Sequence, residues 1–199
     1  MAPAEDSDKE DGTPKRPKKI EPSAADKIKE TESRYAANRK EYERLLADEN
    51  YKDVAFNEEN GGLKATHVGH NFDHLKGYYE KTVQEVGYKN GHSVILEKEN
   101  HNVMFMRNIE GTWDGYRVEM AGAESGTANN IRNALKHCAS KPNADIAVIF
   151  FPNENFSQEN FEKGFAKFKG LKSTSQYRLF KLIYCIGKGQ ILSIKKPEL

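Results

Sequence analysis

The sequence predicts an α/β fold with a mixed sheet, and three consecutive segments support this prediction. YRVEMAG at 116–122 alternates side chains between two faces, which is typical of a strand with one buried side. Residues 126–140 have apolar positions at helical spacing. ADIAVIFFP at 144–152 is a continuous apolar run, typical of a strand covered on both faces. Because a helix joins the two strands, we expect a parallel crossover between them.

The N-terminal part predicts a disordered tail followed by an exposed helix. Residues 1–22 are rich in Pro, Asp, Glu and Lys and contain no aromatic side chain, so they bury too little apolar surface to fold. Residues 23–50 predict a helical leader with Ser23 as its N-cap and a narrow apolar stripe. Such a stripe indicates a stalk, or a helix laid against the domain or a partner. Residues 51–199 form the compact domain.

The remaining segments of that domain complete an αβββαβ core with three further elements. Apolar spacing or alternation, bounded by capping and turn residues, predicts each of them. The predicted elements are a helix at 73–91, strands at 92–98 and 101–110, a helix at 155–170, and strands at 181–186 and 190–196. In the helix at 155–170, Phe161, Phe165 and Phe168 recur at i, i+4 and i+7 and predict a buried aromatic stripe.

Charge, hydropathy and cysteine content narrow the class of protein. The net charge is +1, but residues 160–199 carry nine Lys or Arg against two acids, which favours an anionic partner, with nucleic acid first. No apolar run approaches the roughly 20 residues of a membrane helix, so we expect no membrane contact. The two cysteines, Cys138 and Cys185, have no motif spacing, which favours free thiols and a cytoplasmic location.

Four motifs carry a resemblance to known toxins. They are GYYEKTVQEVGYKNGHSVIL from Gly77, WDGYRVEMAG from Trp113, TANNIRNALKH from Thr127 and DIAVIFF from Asp145. Together they resemble the tRNase toxin domains at the C-termini of contact-dependent growth inhibition proteins. With NGGLKATHVGHNFD from Asn60, they also resemble C-terminal domains of phage head-morphogenesis proteins. The resemblance covers about residues 57–186, and the αβββαβ order is that of the PD-(D/E)xK nuclease superfamily.

The resemblance implies a Mg²⁺ site on residues 51–199, which would then be a nuclease-like domain. In that superfamily, acids on the first helix and the second and third strands gather around the metal. Here those positions correspond to Glu80, Glu110 and Glu119. A divalent ion held by carboxylates makes a bound water more acidic and neutralises charge at the phosphodiester. The family's lysine, two residues after Glu119, is replaced by Ala121. Arg117, two residues before Glu119, supplies a cation but is a poor general base.

A histidine-rich segment supports a different mechanism. His67 and His70 lie within THVGHNFDH, shortly before the first helix of the core. Histidine can take a proton from a 2′-hydroxyl without any metal, as in RNases of the barnase, EndoU or colicin type. Two other interpretations stay open, namely a zinc site and a loop whose histidines bond to nearby backbone groups.

A loop rich in small residues, AESGTANNIRN at 123–133, predicts a phosphate site at the start of a helix, because helix N-termini attract anions. Together with the C-terminal lysines, it gives the predicted nucleic-acid contacts. These are Thr127, Asn130, Arg132, Lys163, Lys167 and Lys172.

The sequence therefore predicts a metal-dependent, toxin-like endonuclease that cleaves RNA, with tRNA as one candidate, in preference to DNA. Two alternatives stay open: a histidine-based RNase, and a nucleic-acid-binding or phage structural protein with a degenerate nuclease fold. The resemblance also implies an immunity protein or a phage particle as partner, and delivery to a target cytoplasm or association with a virion.

Overall fold

The computed structural model describes residues 23–72, 74–75, 77–98, 110–140, 144–171 and 180–197. Within them, four helices and eight strands follow one another along the chain. The helices are α1 (Ala24–Leu46), α2 (Gly77–Lys89), α3 (Ala128–Ser140) and α4 (Gln158–Lys169). The strands are β1 (Tyr51–Phe56), β2 (Leu63–His67), β3 (Ser93–Leu96), β4 (Gly111–Trp113), β5 (Tyr116–Gly122), β6 (Ile146–Phe150), β7 (Leu182–Gly187) and β8 (Gln190–Lys195).

All eight strands form one mixed sheet whose spatial order is the order of the sequence. β2–β3, β5–β6 and β6–β7 are parallel, and each of these pairs is joined through a helix. The other four neighbouring pairs are antiparallel. The predicted α/β class, the mixed sheet, the αβββαβ order and the crossover through α3 are confirmed.

The first two strands of the domain, β1 and β2, were not predicted from the sequence. β1 and β2 pair antiparallel, but their register shifts between Lys52 and Ala55, and Asp53 has a positive φ of 54°. This irregularity interrupts the period of two on which strand prediction depends. The predicted tail at 1–22 lies outside the described residues. Of the strand predicted at 101–110, only Glu110 is described, and the next described strand, β4, starts at Gly111.

The sheet is covered on both faces by apolar cores. On one face, α2 packs over side chains such as Val118 and Met120 of β5. On the other face, α3 and α4 pack over β6 and β7, with the predicted stripe Phe161, Phe165 and Phe168 buried in that core. Because both faces of the sheet are covered, every side chain of β6 faces one of the two cores, and all of its positions are apolar.

The leader helix α1 is laid against the sheet, as its narrow apolar stripe predicts. Ser23 and Asp26 form a capping box at its first turn. Leu45 is fully buried against Leu63 and Ala65 of β2, and Asn38 donates a hydrogen bond to the Gly61 carbonyl at 2.8 Å. None of the helices in the described part of the chain is long and apolar enough to cross a lipid bilayer.

Both cysteines are buried free thiols, and we expect them to be unreactive in the folded protein. Burial raises the pKa of the Cys185 thiol, so little reactive thiolate forms at neutral pH. Cys138 lies on the buried side of α3, and its Sγ atom is 3.6 Å from the Glu119 carbonyl oxygen. An Ellman titration at pH 8 should therefore detect no fast thiol before urea is added, and two thiols per chain afterwards. A fast-reacting thiol in the native protein would contradict this burial.

Candidate functional site

A pocket of about 420 Å³ lies beside the end of β5. Among the described residues, the pairing of β4 with β5 extends to Gly111 opposite Val118, and β5 itself continues to Gly122. Side chains of α2, on one face of the sheet, and of α3, on the other face, line this pocket together. The polar side chains lining it are Tyr79 and Glu80 from α2, Glu110 from the segment before β4, and Asn130, Asn133 and His137 from α3.

Glu80 and His70 form a buried pair at this pocket. The Glu80 Oε2 atom lies 2.7 Å from His70 Nε2, and the His70 side chain is fully buried. His70 Nδ1 lies 2.7 Å from the Glu97 carbonyl oxygen, which can only accept a hydrogen bond, so Nδ1 carries a proton. The contact between Nε2 and Oε2 then needs one further proton, shared by imidazole and carboxyl. Glu80 is thus a fixed group with a proton within reach.

Glu119 and His137 form a second pair on the other side of β5. Glu119 is 1% exposed and faces α3, and its Oε1 atom lies 3.4 Å from His137 Nε2. His137 is in the last turn of α3 and its side chain is 55% exposed. A buried carboxyl group behind a half-exposed imidazole orients the ring, an arrangement that general acid–base chemistry uses.

Two asparagines on α3 add hydrogen-bond donors between these pairs. The Asn130 Oδ1 atom accepts a hydrogen bond from the Ser125 backbone N–H at 3.0 Å, and Asn133 Oδ1 accepts from the Arg132 guanidinium at 2.7 Å. With each amide oxygen occupied, the amide nitrogen is the group available to an anion. Thr127 caps the helix, since its Oγ1 accepts from the Asn130 N–H at 3.3 Å.

The loop before α3 depends on a glycine. Gly126 has a φ of +61°, and a Cβ there would lie 2.4 Å from the Asn155 backbone oxygen. The Asn155 side chain in turn donates to the Glu124 carbonyl at 2.7 Å. Only glycine fits both the left-handed backbone and this close approach, so the small-residue loop is built to fix the start of α3.

The three predicted metal ligands are not gathered into one set. Glu80 and Glu110 line the pocket, whereas Glu119 faces α3 and contacts His137. In the described ranges, no group of three or more His, Cys, Asp or Glu side chains is arranged to hold a metal ion. Mg²⁺ takes oxygen ligands in near-octahedral geometry and keeps several waters, so one or two carboxylates can hold it beside a phosphate. The magnesium site stays a prediction.

Two other predicted catalytic residues have contacts away from the pocket. Arg117 lies at the opposite end of β5, 3.9 Å from the Asp145 carboxylate. His67 Nδ1 accepts a hydrogen bond from the Gly69 backbone N–H at 2.9 Å, and its ring contacts Tyr51 edge-on. The contacts of His67 are those of the local structural interpretation of the histidine-rich segment, whereas His70 belongs to the site.

The predicted lysines of the nucleic-acid interface lie on α4 or outside the described residues. Lys163 forms an ion pair with Glu159 on the same helix, and Lys167 donates to Asn129 Oδ1 of α3 at 2.8 Å. Lys172 is outside the described residues. Lys167 therefore lies beside the start of α3, next to the loop that precedes it.

Sequence reasoning missed His137, whereas Asn133 is the last residue of the predicted phosphate loop at 123–133. Asn130, Asn133 and His137 follow a spacing of i, i+3 and i+7, which places three polar side chains on one face of a helix. That pattern in an otherwise amphipathic helix is the signal that predicts a polar site against the sheet.

Comparison with known proteins found a match among the solved structures. No protein-family model matches the chain, and no curated protein matches it in sequence. The similar structure is the CdiA-CT/CdiI toxin and immunity complex from Burkholderia pseudomallei, with 18% sequence identity and a TM-score of 0.47. The match covers 62% of this chain and 86% of that chain.

Proposed function

We propose that this protein is an RNA-cleaving enzyme that uses two carboxyl–imidazole pairs instead of a metal ion. One observation supports it above the others: Glu80, bonded to His70, and His137, backed by Glu119, line the same pocket from two different helices. Cleavage of RNA by its own 2′-hydroxyl needs one group that accepts a proton and another that donates one. The pocket offers a candidate for each.

In the proposed reaction, His137 takes the proton from a ribose 2′-hydroxyl. The 2′-oxygen attacks the adjacent phosphorus, and the bond from phosphorus to the 5′-oxygen of the next nucleotide breaks. The proton shared by Glu80 and His70 passes to that leaving oxygen. The products are a 2′,3′-cyclic phosphate and a free 5′-hydroxyl, and solvent restores the two protonation states.

The asparagines of α3 would hold the phosphate during this step. Their amide nitrogens offer neutral donors, and Arg132, bonded to Asn133, brings a positive charge next to them. Donors fixed before the reaction stabilise the charge that builds on the phosphate oxygens. In this proposal, Arg132 and Asn130 would have the phosphate role that the sequence predicts for them, and Thr127 would support it by capping the helix.

The test is incubation of purified protein with total RNA and with plasmid DNA, in EDTA and in Mg²⁺. We expect RNA to be cleaved equally in both, with cyclic-phosphate ends, and DNA to stay intact because it lacks the 2′-hydroxyl. Glu80→Gln should lower the rate by about 100-fold or more. Glu85→Gln is the matched control on α2, because Glu85 binds Lys64 and Lys89 instead of lining the pocket.

Other outcomes assign the protein to the remaining classes. RNA or DNA cleavage that EDTA abolishes and Mg²⁺ restores would overturn this mechanism in favour of the predicted metal site. Salt-sensitive binding without cleavage, unchanged by Glu80→Gln, would identify a non-catalytic nucleic-acid-binding protein. An immunity protein, a phage particle and action in a target cytoplasm stay predictions of the sequence resemblance.

A further inference from the structure

Three aromatic side chains form a connected group at the rim of the pocket. Tyr78 is 52% exposed, and its ring lies edge-on to Tyr79 at 4.5 Å and to Phe150 at 6.2 Å between centroids. Tyr79 and Phe150, at 4.8 Å from each other, are buried and line the pocket. The Tyr79 hydroxyl donates to Glu124 at 3.1 Å, which fixes that ring. Tyr78 is therefore an exposed ring on a rigid base.

We propose that Tyr78 stacks against an unpaired RNA base and so directs cleavage to single-stranded nucleotides. This inference rests on the proposed function and names its substrate class. The Tyr78 ring contacts Phe150, which lines the pocket, so a base stacked on the Tyr78 ring would have its own phosphate close to the pocket. Bases inside a duplex already stack on their neighbours, whereas an unpaired base offers a free face to an aromatic ring.

The surroundings of Tyr78 favour a base over an apolar protein partner. The two rings that it contacts, Tyr79 and Phe150, line the pocket together with the polar groups Glu80, Asn130 and Asn133. Lys81 adds a positive charge one turn after Tyr78 on α2, and its Nζ atom lies 4.5 Å from the centroid of the Phe72 ring. A single exposed ring beside donors and a cation suits one nucleotide, with its flat base and its charged phosphate.

The experiment uses the full chain and a short oligonucleotide that carries 2-aminopurine and is 2′-O-methylated throughout, so that it binds without being cut. Binding is followed by 2-aminopurine fluorescence at low salt, for the single strand and for the same strand in a duplex. We expect Tyr78→Ala to weaken single-strand binding by about 5- to 150-fold and to abolish the fluorescence quenching. Tyr78→Phe should keep both, because it keeps the ring.

Tyr116→Ala is the matched control, since Tyr116 is also a partly exposed tyrosine but lies at the far end of β5. Unchanged binding by Tyr78→Ala, or an equal loss for single strand and duplex, would overturn the stacking role. Parallel cleavage of unmodified RNA separates the two proposals. Quenching that depends on Tyr78 without any cleavage leaves the stacking role standing and removes the enzyme, whereas cleavage that ignores Tyr78 removes only the stacking role.

Discussion

His137→Gln should slow RNA cleavage by about 100- to 10,000-fold, the usual contribution of a general acid or base. Glutamine keeps the size and polarity of the side chain but takes up no proton near neutral pH. His137 is half exposed at the end of α3, so the fold should tolerate the change. The measurement is the initial rate of cleavage of a labelled RNA, with circular dichroism as the check on folding.

His74→Gln is the control for this variant, because His74 is an exposed histidine in the turn before α2 and does not line the pocket. We expect it to cleave at close to the unaltered rate. A His137→Gln protein that keeps at least a third of the activity would remove His137 from the reaction and leave the Glu80–His70 pair without its proposed counterpart.

Trp113→Ala should destabilise the protein by about 3–5 kcal/mol, the range for removing a buried large aromatic side chain. Trp113 is fully buried on β4, and its ring centroid lies 4.6 Å from that of Tyr184 on β7 and 5.0 Å from that of His92. It also fills the space left by Gly87 on α2, where a Cβ would lie 3.0 Å from the Trp113 ring. The Trp113 side chain thus contacts both α2 and β7, a strand that lies three positions from β4 in the sheet.

Urea unfolding at 25 °C measures this loss as a lower midpoint at a similar slope. Tyr116→Ala, three residues along the same hairpin and 44% exposed, should cost less than about 1 kcal/mol because most changes at exposed positions are small. Since domains are stable by only about 5–15 kcal/mol in total, the Trp113 variant should lose a large share of its stability. A loss below about 1 kcal/mol would show that this aromatic group does not hold the two sides of the sheet together.

The sequence by itself determined the elements whose residues repeat at a regular period. The alternation of YRVEMAG fixed β5 to its observed bounds, and the phenylalanine stripe of α4 identified the buried face of that helix. The apolar run of β6 predicted a strand between two layers, and the helix before it predicted the parallel pairing. These patterns are local, so a single sequence carries them in full. β1 lacks such a pattern because a register shift interrupts it.

Only the tertiary structure decided which polar side chains meet. The sequence selected Glu80 and His70 separately, but their 2.7 Å contact arises because α2 and the loop after β2 converge. Because side chains alternate along β5, Glu119 faces α3, whereas Val118 and Met120 face α2. Glu119 therefore contacts His137 of α3 and not Glu80, with which it was predicted to share a metal ion. Such pairs depend on which face of the sheet each helix covers. Residue spacing along one chain carries no information about that choice until the helices are packed.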